Sequence, residues 1–396
     1  MTAEIRRICV ITGTRAEYGQ LRWLLHDLKA KPAVKLQIVA AAMHLAPEFG
    51  FTYREIESDG FVIDRKLEML VASDTGTGMA KSTGLGTLGF ADIFAQLQPH
   101  VIVVLGDRFE VLAAATAALL MRIPIAHLHG GELTEGAVDD SIRHAVSKMA
   151  SLHFTAAEPY RNRLLQMGEA ERRVFNVGSM GVDAIMRTPR MGRVELEKSL
   201  GFSFGARNLL VTFHPATAED GDPLQQCEEL LSALDAFPEC KVLITLPNAD
   251  AGGRGIAARL QKYAADNPQR ICAHASLGLQ RYLSCLAIVD GVVGNSSSGL
   301  LEAPSFKIGT VNIGSRQKGR IRAASVIDCP PQREAITRAI GRLYEPDFRE
   351  VLNKVRNPLG EGGSASRIAD ILADYPLHEL AHKAFCDMSP KNILSI

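Results

Sequence analysis

Short runs of β-branched and other apolar residues alternate along the chain with stretches in which apolar positions recur every three to four residues. The first run, residues 8–12, predicts a buried strand, with a loop over 13–19 and an amphipathic helix over 20–29 behind it. The order returns at a strand over 35–42, and again at a strand over 101–105 followed by a helix over 109–121. A strand over 125–128 then leads through a loop rich in glycine and acid to a helix starting near Asp139. Apolar strands separated by helices are what a parallel sheet covered on both faces requires.

Gly, Met, Pro and Arg interrupt the pattern over 178–193, after which it restarts with strands at 209–213, 241–246, 288–293 and 310–313 and helices at 223–236 and 254–265. The expected fold class is therefore α/β, with two Rossmann-like domains over 1–185 and 186–363. A C-terminal helix and tail, 364–396, is expected to return to the first domain. Ligands of open parallel sheets bind beyond the carboxyl ends of the strands, where loops and helix N-termini converge, so the two domains are expected to face a cleft.

Composition removes several function classes. At 396 residues the chain exceeds what one core usually serves, and 46% apolar with 22% charged residues is ordinary for a globular protein. Lysine plus arginine equals aspartate plus glutamate at 44 each, so nothing draws the whole chain to nucleic acid or to an anionic membrane. Any phosphate site must be local. The opening Met-Thr-Ala-Glu-Ile-Arg-Arg runs straight into a strand and does not read as a signal peptide, and the longest apolar stretch, 111–121, is far short of a membrane span. Seven scattered cysteines without a C-x-x-C pair read as reduced thiols. These features point to a cytoplasmic protein with no membrane or nucleic-acid partner.

The chemistry-bearing clusters all fall at predicted strand ends. After the first strand, Gly13-Thr14-Arg15-Ala16-Glu17-Tyr18-Gly19 lacks both the G-x-G-x-x-G fingerprint and the Walker lysine, so neither NAD nor ATP is suggested. Arg15 reads as a phosphate contact at a helix N-terminus or as a solvated surface charge. Asp107 and Arg108, after residues 101–105, read as an ion pair capping a helix or as a carboxylate whose basicity an arginine tunes. Alternation puts His127 and His129 on one side of a strand end, with Glu132 close by. A metal is not favoured there, because the flanking glycines suit close approach of a ligand better. Asp139 and Asp140 suit a helix start, with Arg143 and His144 four residues on along the same face.

In the second half, His214 ends one strand, Asn248 follows the next and His274 follows a third. The run 294–302 opens a strand onto Asn295, Ser296, Ser297, a glycine and Glu302, the kind of hydroxyl-rich turn that cradles a diphosphate; the bland reading is a serine N-cap.

Taken in order, TGTRAEYG, GDRFE, HLHGGE, VDDSIRH, FHP, PNADAG, GNSSSG-x-x-E and NIGSRQKGR resemble the sialic-acid-pathway hydrolysing UDP-N-acetylglucosamine 2-epimerases. The match runs from Ile8 to about Asp328. It implies the two-domain GT-B arrangement, no cofactor, no metal and a homo-dimer or tetramer. It implies loss of UDP from C1 with removal of the C2 proton, then hydration of the resulting 2-acetamidoglucal to N-acetylmannosamine, the first step of sialic acid synthesis. The C2 proton is hardly acidic, so the leaving group must depart ahead of it and carboxylates must stabilise the positive charge that builds. On this resemblance Arg15, Arg108, Ser296, Ser297 and Arg316 serve the diphosphate, with Asp140, Arg143, His144 and Asn295 as further substrate contacts. Asn248, His274 and Glu302 serve the nucleoside. Asp107, His129, Glu132, Asp139 and His214 serve the chemistry. Many relatives carry glutamate where this chain has His129, so that acid's task falls to His129 itself or to Glu132.

Three competing readings keep parts of this picture. The same chemistry on a UDP- or GDP-linked 2,4-diacetamido-trideoxyhexose fits the motifs equally, since they barely report on C4 and C6. A non-hydrolysing 2-epimerase would show G-D-T, V-E-A-G and D-S-G-G instead of the motifs present. A non-catalytic sugar-nucleotide sensor would keep Arg15 and the serine turn without needing Asp107, Asp139 and His214 together.

Overall fold

The computed structural model describes residues 5–73, 75–133, 138–215, 222–247, 253–380 and 382–387. The chain divides into two compact units, Met1–Ala184 with Gly362–Ile396, and Ile185–Glu361.

The first unit is built on a seven-stranded sheet of β1 (Arg6–Thr12), β2 (Val34–Ala41), β3 (Arg65–Leu67), β4 (Val101–Leu105), β5 (Ile125–Leu128), β6 (Leu152–Thr155) and β7 (Val174–Asn176), in the order β3-β2-β1-β4-β5-β6-β7. Every pairing is parallel, and Ile8 lies opposite Leu36 on one side and Val101 on the other. The central strand β4, Val-Ile-Val-Val-Leu, is buried at every position, as a strand covered on both faces must be. Strand order reverses between β1 and β4, the switch point at which open α/β sheets bind ligands.

The helix after β1 begins at Arg15, five residues earlier than the apolar period alone predicts. Thr14 and Glu17 close a capping box that satisfies the N–H groups of the first turn, so the helix starts where its donors find partners. Tyr18, Leu21, Leu24, Leu25 and Leu28 form its buried stripe and share a core with Ala365, Ile368, Ala369 and Leu372 of the C-terminal helix Ser364–Asp374. Each such leucine is worth roughly 1.5–3 kcal/mol of burial. The Asp183 carboxylate accepts from the backbone N–H of Ser364 at 3.2 Å and of Ala365 at 2.5 Å, which caps that helix and fixes its return to the first sheet.

The 22-residue helix Gly76–Leu97 is absent from the predicted elements. It contains five glycines, each about 1 kcal/mol less favourable than alanine in a helix interior. Packing overrides the propensity. A Cβ on Gly86 would meet the tip of the Met69 side chain and one on Gly89 the tip of Leu67, so these glycines let the helix pack close to β3 and the residues just after it.

The second unit carries a six-stranded parallel sheet of β8 (Arg207–Thr212), β9 (Cys240–Thr245), β10 (Ile271–His274), β11 (Gly291–Gly294), β12 (Gly309–Ile313) and β13 (Val326–Cys329), ordered β10-β9-β8-β11-β12-β13. Its switch point lies between β8 and β11. The strand expected over 288–293 starts instead at Gly291, because the N–H groups of Ile288 and Val289 both bond to Cys285 O at the end of the preceding helix. All seven cysteines are unbridged, and Cys9, Cys227, Cys240 and Cys285 are buried. Among the described residues no helix is long and apolar enough to cross a membrane.

Candidate active site

At the ends of β4 and β5 one arginine organises two acids and a histidine. Arg143, on the helix Val138–Met149, donates from Nε to Asp107 Oδ2 at 3.0 Å and makes a second, shorter contact to the same oxygen through Nη2. Its Nη1 reaches Glu132 Oε2 at 3.2 Å. Glu132 Oε1 accepts from His129 Nδ1 at 2.8 Å, and the backbone N–H of Met180 points at His129 Nε2 at 3.4 Å. Those contacts place a proton on Nδ1 and turn Nε2 toward the Met180 amide. Burial pushes the Glu132 carboxyl up, but the neighbouring His129 and Arg143 outweigh it and hold the group below the usual carboxylate range. Burial alone would lower the Arg143 guanidinium; Glu132 and Asp107 raise it. The guanidinium stays charged, and Glu132 stays ionised beside it.

Two expectations are corrected here. Asp107 pairs with Arg143 and not with Arg108, whose Nε instead lies 2.6 Å from Glu110 Oε1. The side chains at 127 and 129 do not present together at the strand end. The strand stops at Leu128 and His129 turns to φ +62°, which breaks the alternation. His127 is left fully buried, with Nε2 on Gly106 O at 2.7 Å and Nδ1 on Ser147 Oγ at 3.1 Å. Both ring nitrogens are engaged, and burial lowers this imidazole to about 3. Among the described residues no three His, Cys, Asp or Glu side chains group as a metal site.

In the loop after β1 the N–H groups of Gly13 and Thr14 both donate to Glu17 Oε2, at 2.7 and 3.3 Å. The chain's own carboxyl fills that nest. Arg15 heads the helix with its side chain 71% exposed and paired to Glu55 at 2.9 Å. Arg108 is half-buried; burial lowers it, but Glu110 prevails and holds the guanidinium above its ordinary value. His44, unmarked in the sequence, is buried beside the loop with Nε2 3.0 Å from Thr12 Oγ1 and Nδ1 2.8 Å from Thr52 Oγ1. Its burial lowers it to about 4, so it is a neutral support.

Asp139 and Asp140 lie in the first turn of Val138–Met149, where the helix dipole favours acids. Asp140 pairs with His144 at 3.7 Å, as the i,i+4 spacing predicts. Arg143 is drawn instead to Asp107 and Glu132, the half-buried acids.

In the second unit Asn295, at the end of β11, holds the main chain of His214, at the end of β8. Its Oδ1 accepts from His214 N at 2.7 Å, and its Nδ2 donates to His214 O at 2.8 Å. The Asn295 carbonyl in turn receives Gln317 Nε2 at 2.8 Å and Arg316 Nη1 at 3.2 Å. Asn295 was expected to touch substrate; its side chain is committed to His214, which corrects that role to one of positioning. The helix behind the serine turn spans only Ser298–Leu301, with Ser297 at its N-cap, so its dipole is slight and the hydroxyls of Ser296 and Ser297 matter more. Glu302 is its C-cap, and burial raises its carboxyl. His274 is the last residue of β10, with Nε2 3.3 Å from Cys272 Sγ. Asn248 lies outside the described residues.

Comparison with known proteins bears on the family and the fold. Residues 26–373 match the family model described as UDP-N-acetylglucosamine 2-epimerase. A Campylobacter jejuni protein named GDP/UDP-N,N'-diacetylbacillosamine 2-epimerase (hydrolyzing) is 40% identical over 97% of this chain and 99% of its own. A Legionella pneumophila UDP-N,N'-diacetylbacillosamine 2-epimerase (hydrolyzing) is 38% identical over 94% and 97%. A crystal structure of a UDP-N-acetylglucosamine 2-epimerase superposes with a TM-score of 0.78 at 19% identity, covering 98% of this chain and all of that one, which supports the fold. By its motifs, its two parallel sheets and these relatives, the chain belongs to the UDP-N-acetylglucosamine 2-epimerase family, within its hydrolysing branch.

Proposed function

We propose that this enzyme removes a nucleoside diphosphate from a UDP- or GDP-linked N,N'-diacetylbacillosamine and releases the free sugar epimerised at C2. The observation that carries the chemistry is the Arg143 bridge between Asp107 and Glu132, with Glu132 hydrogen-bonded to His129. It gathers two acids and an imidazole around one arginine, the kinds of group a sugar ring needs in order to lose and regain a proton. The relatives at 40% and 38% identity support the diacetylated sugar.

In this reading the bond from C1 to the diphosphate oxygen breaks and the C2 proton passes to the Glu132 carboxylate, leaving a 2-acetamidoglycal. His129 and Arg143, bonded to that carboxylate, hold it in place. Asp107 and Asp139 stabilise the positive charge that develops at C1 as the leaving group departs. Water then adds to C1 and a proton returns to C2 on the other face, with His214 as the second proton handler. Arg15, Arg108, Ser296, Ser297 and Arg316 hold the diphosphate.

The alternative, UDP-N-acetylglucosamine giving N-acetylmannosamine, is favoured by the description of the family model. Proton NMR in D₂O separates the two. UDP- and GDP-linked diacetylbacillosamine should yield free sugar deuterated at C2, and UDP-N-acetylglucosamine should turn over at least about tenfold more slowly. Faster turnover of UDP-N-acetylglucosamine would exchange the substrates. A product still joined to its nucleotide, or one that keeps the C2 proton, would overturn the mechanism.

A further inference from the structure

Glu17 and Glu110 belong to no step above, yet both are buried, with Glu110 fully so. They close on the same residue. Glu17 Oε2 takes the N–H groups of Gly13 and Thr14, and a Cβ on Gly13 would overlap the Glu110 carboxyl, so only glycine leaves room for both acids. Glu110 Oε1 holds Arg108 at 2.6 Å. The remaining oxygen of each acid, Glu17 Oε1 and Glu110 Oε2, is buried without a hydrogen-bond partner among the described residues. Two ionised carboxylates side by side, each with a bare buried oxygen, would be strongly unfavourable. One proton shared between those two oxygens satisfies both.

Resting on the nucleotide-sugar reading above, we propose that Glu17 and Glu110 form a carboxylic acid–carboxylate pair, Glu17 carrying the proton and Glu110 the charge, that positions Arg108 for the substrate's diphosphate. The Gly13 and Thr14 amides donate to Glu17, and Glu110 accepts from Arg108; a proton between the two acids would join these bonds into one chain. It ties the loop after β1 to the guanidinium after β4. Burial foremost, then the charge of Glu110, pushes the Glu17 carboxyl up to about 8, in keeping with a proton retained at neutral pH. The other ionisable groups near the pair are Arg108 itself, Asp139, whose charge acts on Arg108, and neutral His44, whose backbone N–H donates to Gly13 O.

Three variants test the pair. Glu17→Ala should raise KM for the sugar nucleotide about tenfold or more with a smaller change in kcat, since Arg108 loses its support. Glu17→Gln should rescue that loss, because a carboxamide accepts from the two amides and donates to Glu110 as the protonated acid does. Glu110→Gln should not be rescued in this way, because it removes the charge that holds Arg108.

The pH dependence gives a readout independent of substrate. A carboxyl raised on folding stabilises the fold most below its ordinary value, and that stability is lost as pH rises toward about 8. Wild type should therefore lose Tm from about pH 5 up to about pH 8 more steeply than Glu17→Gln, and its KM should climb as pH passes about 8 while that of the variant stays flatter. A Glu17→Gln protein that unfolds, or whose Tm falls with pH in parallel with wild type, would overturn the shared proton. If the Tm result holds but Glu110→Gln binds UDP as wild type does in calorimetry, the pair is structural and the positioning of Arg108 is overturned. Neither arm depends on which sugar is turned over, so failure here is distinct from failure of the proposed reaction.

Discussion

The strand ends of the two units solve different problems with different residues. In the first, Arg143 holds Asp107 and Glu132 through charge, and Glu132 holds His129. In the second, a neutral amide does the organising, since Asn295 fixes both backbone groups of His214 and its own carbonyl anchors Arg316 and Gln317. Charge that changes during a reaction must be met by preoriented charge, whereas a bound nucleotide needs shape and hydrogen bonds. Under the proposed reaction the first set would meet the charge that changes, and the neutral amide of the second would hold His214, the second proton handler, in position.

The sharpest way to break the comparison is Arg143→Met. It leaves two acids facing each other without their cation, and removing one partner of a buried ion pair typically costs about 3–5 kcal/mol. Activity should be lost, with Tm clearly lowered in thermal unfolding. An active, stable variant would show that the ion-pair array organises nothing. Next in size, Asn295→Ala should cost about 2–3 kcal/mol, because it strands two buried main-chain groups of His214. Its denaturant midpoint should drop, and a midpoint equal to wild type would deny Asn295 its positioning role.

Acid titration sharpens the same contrast. A carboxyl lowered on folding contributes stability above its ordinary value, which is lost as pH falls through the lowered one. Glu132 is held low in this way, so wild type should lose Tm on acidification below the ordinary carboxylate range more steeply than Glu132→Gln does. Parallel curves would place Glu132 outside the array. The smallest structural effect is expected at Arg15, whose side chain is 71% exposed. Arg15→Ala should leave stability within about 0.5 kcal/mol of wild type, as surface substitutions do, while weakening UDP binding several-fold in calorimetry. Unchanged UDP affinity would make Arg15 the solvated surface charge that its exposure also fits.

Much of this was legible in the chain. The apolar run at β4 and the leucine period after Thr14 announce sheet and helix, and the site residues stand at strand ends because parallel sheets bring loops together there. The helix Gly76–Leu97 was not legible, since its glycines answer to neighbours distant in sequence. Strands of three or four residues, such as β3 and β7, are too short to show a period. Within the site, motif and spacing marked Asp107, Glu132 and Arg143 but not their partnership, because an ion pair 36 residues apart in sequence leaves no local signature. The positive φ at His129 likewise overrode the alternation that grouped it with His127.

The division of labour between the two strand ends is tested most directly by one paired measurement on Glu132→Gln, with UDP affinity by calorimetry and turnover of the nucleotide-linked diacetylated sugar by NMR in D₂O. The account predicts UDP affinity within about twofold of wild type and turnover lowered by a factor on the order of 10²–10⁴, the usual scale for a positioned acid or base. Weakened UDP binding with turnover preserved at saturating substrate would contradict it.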